Sequence, residues 1–192
     1  LLGMSHRLYR FMTILMIPAL ILGLILWLYY GVGRGPGSYT GLRIGVSAAK
    51  GLCYALNIPL IAVDTLQVLA SQATISEGLI IPMLDARRME VYSAIFNAKF
   101  EKQREIQAEV ITENSFESIA DTVYFVGDCA DKCQSVLVKS NFVFLEEVKY
   151  PSAKEMSALS FSKFQNSEFE DVAYFEPYYL KDFMITTSKK VG

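Results

Sequence analysis

Few residues in this chain could do chemistry. The single histidine is His6, expected to lie outside the folded body, so neither a histidine-based triad nor a histidine metal pair can be assembled. Cys129 and Cys133 stand four apart on one face of an expected helix. Zinc usually takes four protein ligands, and Cys53 is the only other thiol, so buried, unreactive cysteines are the better reading. Asp85, Arg87, Arg88 and Glu90 crowd one turn. They form either a tip that binds a partner or an anion, or a hairpin whose surface charges neutralise one another, and the spacing favours the hairpin. Asp128 follows Gly127 and either faces a ligand or ends a strand.

The remaining candidate is a glycine loop, Gly33-Arg34-Gly35-Pro36-Gly37-Ser38, running into Tyr39-Thr40-Gly41-Leu42-Arg43-Ile44-Gly45. A loop feeding a helix N-terminus presents free N–H groups and the positive end of a dipole, so Gly35, Gly37 and Ser38 could hold a phosphate or touch a partner. No Gly-Lys-Ser/Thr follows, and the Gly-x-Gly-x-x-Gly pattern is not met in register, so glycines serving a sharp turn and close packing fit better. Arg43 and Lys50 share a helix face and either meet an acidic partner or stay solvated. Gly37, Gly41, Gly45, Ala49 and Cys53 recur every four residues and lay a narrow stripe of small side chains along the helix. Glycine inside a helix costs roughly 1 kcal/mol relative to alanine, so its repetition implies that another backbone comes close.

These residues need elements to position them. The glycines and proline before Tyr39 are expected to break both strand and helix, with Ser38 as N-cap of a helix that runs until Asn57-Ile58-Pro59. Pro59–Val63 reads as a buried strand, and Asp64 or Thr65 as the cap of a helix through Ser71. Leu79–Leu84, Met89–Phe96 and Glu105–Ile111 form an antiparallel meander. Asn114 opens a short helix, Val123–Val126 is a strand, Ala130–Val138 a helix and Phe142–Leu145 a strand. Ser152 to Glu155 has the form of a capping box for a helix to Gln165. The aromatic tail Val172–Phe183 is expected to pack back on the body. Strands alternating with helices, plus one meander, give an α/β architecture.

At 192 residues the chain can bury a core without disulfides, and three cysteines suit reduced thiols in a cytosol. The net charge of −2 provides no basic field for a polyanion, so nucleic acid would need a partner. Hydrophobic residues make up 52 % and mean hydropathy is +0.29, with the excess before residue 31. Phe11–Tyr30 reads either as a transmembrane or signal-anchor segment or as a buried helix running into a strand from Leu26 to Val32.

The string Gly35-Pro36-Gly37-Ser38-Tyr39-Thr40-Gly41-Leu42-Arg43-Ile44-Gly45, with Ala49-Lys50-Gly51, Ile58-Pro59-Leu60-Ile61 and Thr65-Leu66, resembles the TsaB (YeaZ) family. Pro82-Met83-Leu84-Asp85-Ala86-Arg87-Arg88-Met89-Glu90-Val91-Tyr92 is similar to that family's central hairpin. Gly127-Asp128 and Pro177-Tyr178-Tyr179-Leu180 also fall where the family has similar residues.

The resemblance covers about Gly31 to Phe183 and implies an actin-like, ribonuclease H-like and sugar-kinase-related fold of two lobes. Residues 31–78 would be the remainder of a first, incomplete lobe and 79–192 the second. Residues 1–30 would be an apolar segment foreign to the family, as from an atypical or misplaced gene start.

The resemblance further implies a cytoplasmic, non-catalytic subunit needed to form N6-threonylcarbamoyladenosine beside the anticodon of tRNA. It would pair with a catalytic TsaD-type subunit and a TsaE-type ATPase, and meet tRNA, ATP or ADP only in that complex. The partner interface would comprise Gly37, Gly41, Leu42, Gly45, Ala49 and Cys53, with a homodimer in isolation. Two other classes stay open: a peptidase-like metalloprotease relative, which the missing ligand histidines oppose, and a membrane-anchored interaction protein resting on residues 11–30.

Overall fold

The computed structural model describes residues 31–180. The anchor reading of Phe11–Tyr30, most of the Leu26–Val32 strand and the end of the aromatic tail lie outside them.

The first described element is a strand, β1 (Gly31–Gly35); Gly31 and Val32 fall within the strand read over Leu26–Val32, and Gly33 to Gly35 extend it where a turn was expected. It runs through the glycines because it pairs in parallel with β2 (Ile61–Asp64), with a register shift between Gly33 and Gly35. At Gly35 φ is +119°, and a Cβ would meet the Tyr178 carbonyl at 2.8 Å, so only glycine ends the strand there. Between β1 and β2 lies α1 (Tyr39–Leu56). The Ser38 side chain accepts from the Gly41 N–H at 3.4 Å at its start, and Asn57 closes it in the left-handed conformation.

A short helix, α2 (Thr65–Ala70), leads to a five-stranded sheet in the order β5-β4-β3-β6-β7. Its strands are β3 (Leu79–Asp85), β4 (Glu90–Asn97), β5 (Lys102–Val110), β6 (Val123–Val126) and β7 (Phe142–Phe144). β3, β4 and β5 form the expected meander, while β6 and β7 add in parallel. The β3–β4 ladder is interrupted between Ile80 and Met83, around Pro82, which has no N–H to donate.

Both faces of the sheet are covered. On one, Leu66, Leu69 and Ala70 of α2 pack on Ile80, Ala94, Phe96 and Ile106. On the other, Ile81, Met83, Val91 and Phe125 pack under Phe116 and the segment from Cys129 to Leu137. Phe125 stacks on Phe144 at 4.9 Å and meets Phe142 edge-on at 5.1 Å. Two faces buried along one strand explain why β3 reads Leu-Ile-Ile-Pro-Met-Leu rather than alternating.

Two expected helices differ. Residues 113–118 form turns, with Phe116 at φ +62° sending its ring into the core. The helix expected over Ala130–Val138 ends early: α3 spans Ala130–Gln134. The last helix, α4 (Ala153–Gln165), starts at Ser152, whose hydroxyl accepts from the Lys154 N–H at 3.1 Å. It returns to the first sheet, where Met156 and Leu159 pack on Ile61, Val63 and Val68. The tail then crosses back: Glu170 bridges to Leu60, and the Tyr178 N–H donates to the Arg34 carbonyl at 2.7 Å.

Candidate functional site

Along α1 the small-residue stripe divides. Val46 and Cys53 face the body at 3 % and 4 % exposure, and the Cys53 thiol lies 3.6 Å from the Pro59 carbonyl. Ala49 is half-buried beside them, and Leu42 folds over Gly35 and Gly37. Cys53 therefore packs inside the monomer and is no outward contact. Gly41 and Gly45 point the other way. A Cβ on Gly45 would meet nothing within 4 Å, and one on Gly41 would touch only Ser38. With Ala48, Ile44 at 66 % exposure and Leu52 at 48 %, they make an uncharged outward face. The period of four drifts around a helix of 3.6 residues per turn, so Ala48 and Leu52 continue this face rather than Ala49 and Cys53.

The basic residues of α1 are engaged. Lys50 donates to the carbonyls of Ala173 and Phe175, both at 3.0 Å, and fastens the tail to the helix. Arg43 donates to the Tyr39 hydroxyl at 3.0 Å and lies over that ring. Ser38 serves as the cap, and Gly35 is buried beneath Tyr178, while Gly37 stays exposed.

At the β3–β4 turn, Asp85 is paired by Lys132 of α3 rather than by the neighbouring arginines. Lys132 also donates to the Arg88 carbonyl at 2.8 Å, and the Asp128 carboxylate accepts from the Asp85 N–H at 3.1 Å. Asp85 in turn accepts from the Arg87 N–H at 3.1 Å. The Lys132 hydrogen bond holds Asp85 below the usual carboxylate range. The chief partner of Asp85 is thus Lys132 from a distant helix, while Arg87 adds a smaller electrostatic share from within the turn. Arg87 and Arg88 stand exposed at φ +77° and +57°, and Glu90 starts β4 half-buried. Gly127, at φ +126°, runs so close to β3 that a Cβ would collide with the Met83 carbonyl. Just beyond it, Cys129 and Cys133 are buried free thiols sharing a hydrogen bond, and that bond and burial push Cys129 up. Among the described residues no three histidine, cysteine or acidic side chains come together as a metal group.

One cluster escaped the sequence reading. Asp64, expected only as a helix cap, makes no capping bond. Its carboxylate, 7 % exposed, takes Arg34 Nε on one oxygen and Lys102 Nζ, at 2.8 Å, on the other. Burial alone would raise its pKa, but the hydrogen bonds from Lys102 and Arg34 and their charges more than offset that, so Asp64 lies below its usual range. Lys102 also reaches Glu105 at 3.1 Å. The triad joins β1 and β2 to β5 of the other sheet, at the edge of an open cleft of about 360 Å³ that α4 walls with Ser162 and Lys163.

The family model for TsaD, tRNA N6-adenosine threonylcarbamoyltransferase, matches residues 31–189. The tRNA threonylcarbamoyladenosine biosynthesis protein TsaB of Escherichia coli is 29 % identical over 160 residues, covering 78 % of this chain and 69 % of that protein. The chain belongs to the TsaB (YeaZ) family. TsaB of Bacillus subtilis is 50 % identical over 68 residues, which is 35 % of this chain and 30 % of that relative. Among solved structures, YeaZ from Pseudomonas aeruginosa has the same fold, with a TM-score of 0.66 at 23 % identity over 78 % of this chain and 72 % of that one. The actin-like α/β class that the glycine string implied is therefore the fold of this TsaB-family chain. Among the described residues no helix is long and apolar enough to cross a membrane.

Proposed function

We propose that this chain is a non-catalytic, cytoplasmic partner subunit in forming N6-threonylcarbamoyladenosine in tRNA, and that it docks on a TsaD-type subunit through the outward face of α1. A TsaE-type ATPase joins the pair, tRNA and nucleotide enter only with the complex, and the chain pairs with its own copy when alone. The supporting observation is the uncharged face of Gly41, Ile44, Gly45, Ala48 and Leu52, which the described residues leave open. Two glycines one turn apart let a second backbone approach closely. The names of the TsaB relatives point the same way, as does the single histidine, which leaves no histidine metal pair.

Gly45→Leu tests the reading. A Cβ at this position meets no atom of the described residues within 4 Å, and leucine improves helix propensity by about 1 kcal/mol, so the fold is retained. Sedimentation should show the wild type associating and the variant monomeric, with binding to a TsaD-type subunit lost as well. Equal masses for both at every concentration, with undiminished partner binding, would refute it.

A further inference from the structure

The Asp64 cluster does more than pair charges. Arg34 spends only its Nε on Asp64, and its guanidinium lies 5.9 Å from the centre of the Tyr178 ring. Neither terminal nitrogen donates to another described residue. A guanidinium offers five N–H donors in a planar fork, and the outer pair matches the two oxygens of a carboxylate. Because Asp64 is itself buried and held from the other side by Lys102, the fork is fixed before anything binds, which lowers the ordering cost of a ligand. The fork opens on the cleft beside α2 and α4.

We propose that this cleft binds a small carboxylic acid, with Arg34 gripping the carboxylate. The lining charges choose this class over a phosphate. Lys163 is paired with Glu168, and Lys102 with Asp64 and with Glu105 beside the cleft. The cations and anions balance, 3 − 3, so the outer Arg34 donors are what remains to meet a ligand, and a single carboxylate adds the least charge to the balanced cluster. A phosphate dianion would leave excess negative charge beside buried Asp64. Gln67 and Ser162 supply neutral polar groups for the rest of the ligand, and Leu159 an apolar wall. This pattern of one charged anchor, a few polar groups and an apolar side is that of small-molecule sites.

The test uses the full chain and sodium acetate as probe, followed through the side-chain N–H resonances of Arg34, with sodium chloride and sodium phosphate at matched ionic strength. Acetate is expected to shift these resonances saturably, and phosphate to bind at least ten-fold more weakly. Ser162→Trp places bulk in the cleft without touching a charged residue, and should weaken acetate at least ten-fold. In Arg34→Lys, which keeps the charge and loses the fork, saturable acetate shifts of the remaining cleft amides should weaken likewise. If that variant does not fold, the Ser162→Trp result decides. Arg34 shifts that follow ionic strength alike for chloride and acetate would overturn the proposal. So would tighter binding of phosphate, or acetate binding undiminished in Ser162→Trp.

Discussion

Asp64→Asn keeps the shape of the side chain and removes the charge that Arg34 and Lys102 share. Breaking a fully buried pair by removing one partner costs about 3–5 kcal/mol, because the other charge is stranded. Here the two cations keep part of their water, at 38 % and 21 % exposure against 7 % for Asp64. Roughly half the full cost, about 2 kcal/mol, is therefore expected, or a fall in Tm of about 4–8 °C for a chain of this length. Urea unfolding of both proteins at pH 7 measures it. The pH dependence gives a second check. The folded pKa of Asp64 is depressed, so its contribution is fully present above the unfolded value of about 3.9 and is lost as pH falls through the lower folded value. The gap between wild type and variant should be constant from pH 7 to about 5 and close only below about 4. A variant within about 0.5 kcal/mol of wild type at pH 7, or a gap already closing above pH 5, would refute the claim that this carboxylate ties the two sheets.

Gly127→Ala should cost about 3 kcal/mol or more in urea unfolding, because φ is +126° and the new Cβ meets the Met83 carbonyl. Ser160→Ala should be neutral or stabilise by up to about 1 kcal/mol, since the buried Ser160 hydroxyl has no hydrogen-bond partner among the described residues. Arg88→Ala should change stability by less than about 1 kcal/mol, and Arg88→Gly should raise it slightly by relieving the left-handed backbone; thermal melts of both variants check this.

Elements governed by short-range rules were legible in the sequence. Ser38, Asn57 and Ser152 act at the helix ends where their types placed them, and β6 is the apolar run between its breakers. Failures arose where a distant partner overrode local preference. The glycines of β1 read as a turn, yet pairing with β2 and the close passage of Tyr178 make them a strand. Asn114 reads as a helix start, but burying Phe116 beneath Arg104 and against Phe125 holds that segment in turns. The Asp64 triad was invisible because Arg34 and Lys102 lie 30 residues before and 38 after it, and no spacing rule reaches that far. The drift of the glycine stripe could have been found by plotting α1 at 100° per residue instead of counting in fours.

The tail carries a consequence for synthesis on the ribosome. Lys50 is anchored to Phe175, 125 residues later, and β1 and β2 await α4 and Tyr178 for their covering. The meander and α2 pack largely among themselves and emerge before α4 and the tail. At translation rates of about 5–20 residues per second, α1 therefore waits roughly 6–25 s between leaving the tunnel and meeting its fastening. Throughout that interval its glycine face is within reach of other nascent chains. A polysome bearing several copies would bring such faces together before any of them is finished, so the pairing proposed through α1 would begin during translation, ahead of the closure of β1 and β2 by α4 and the tail.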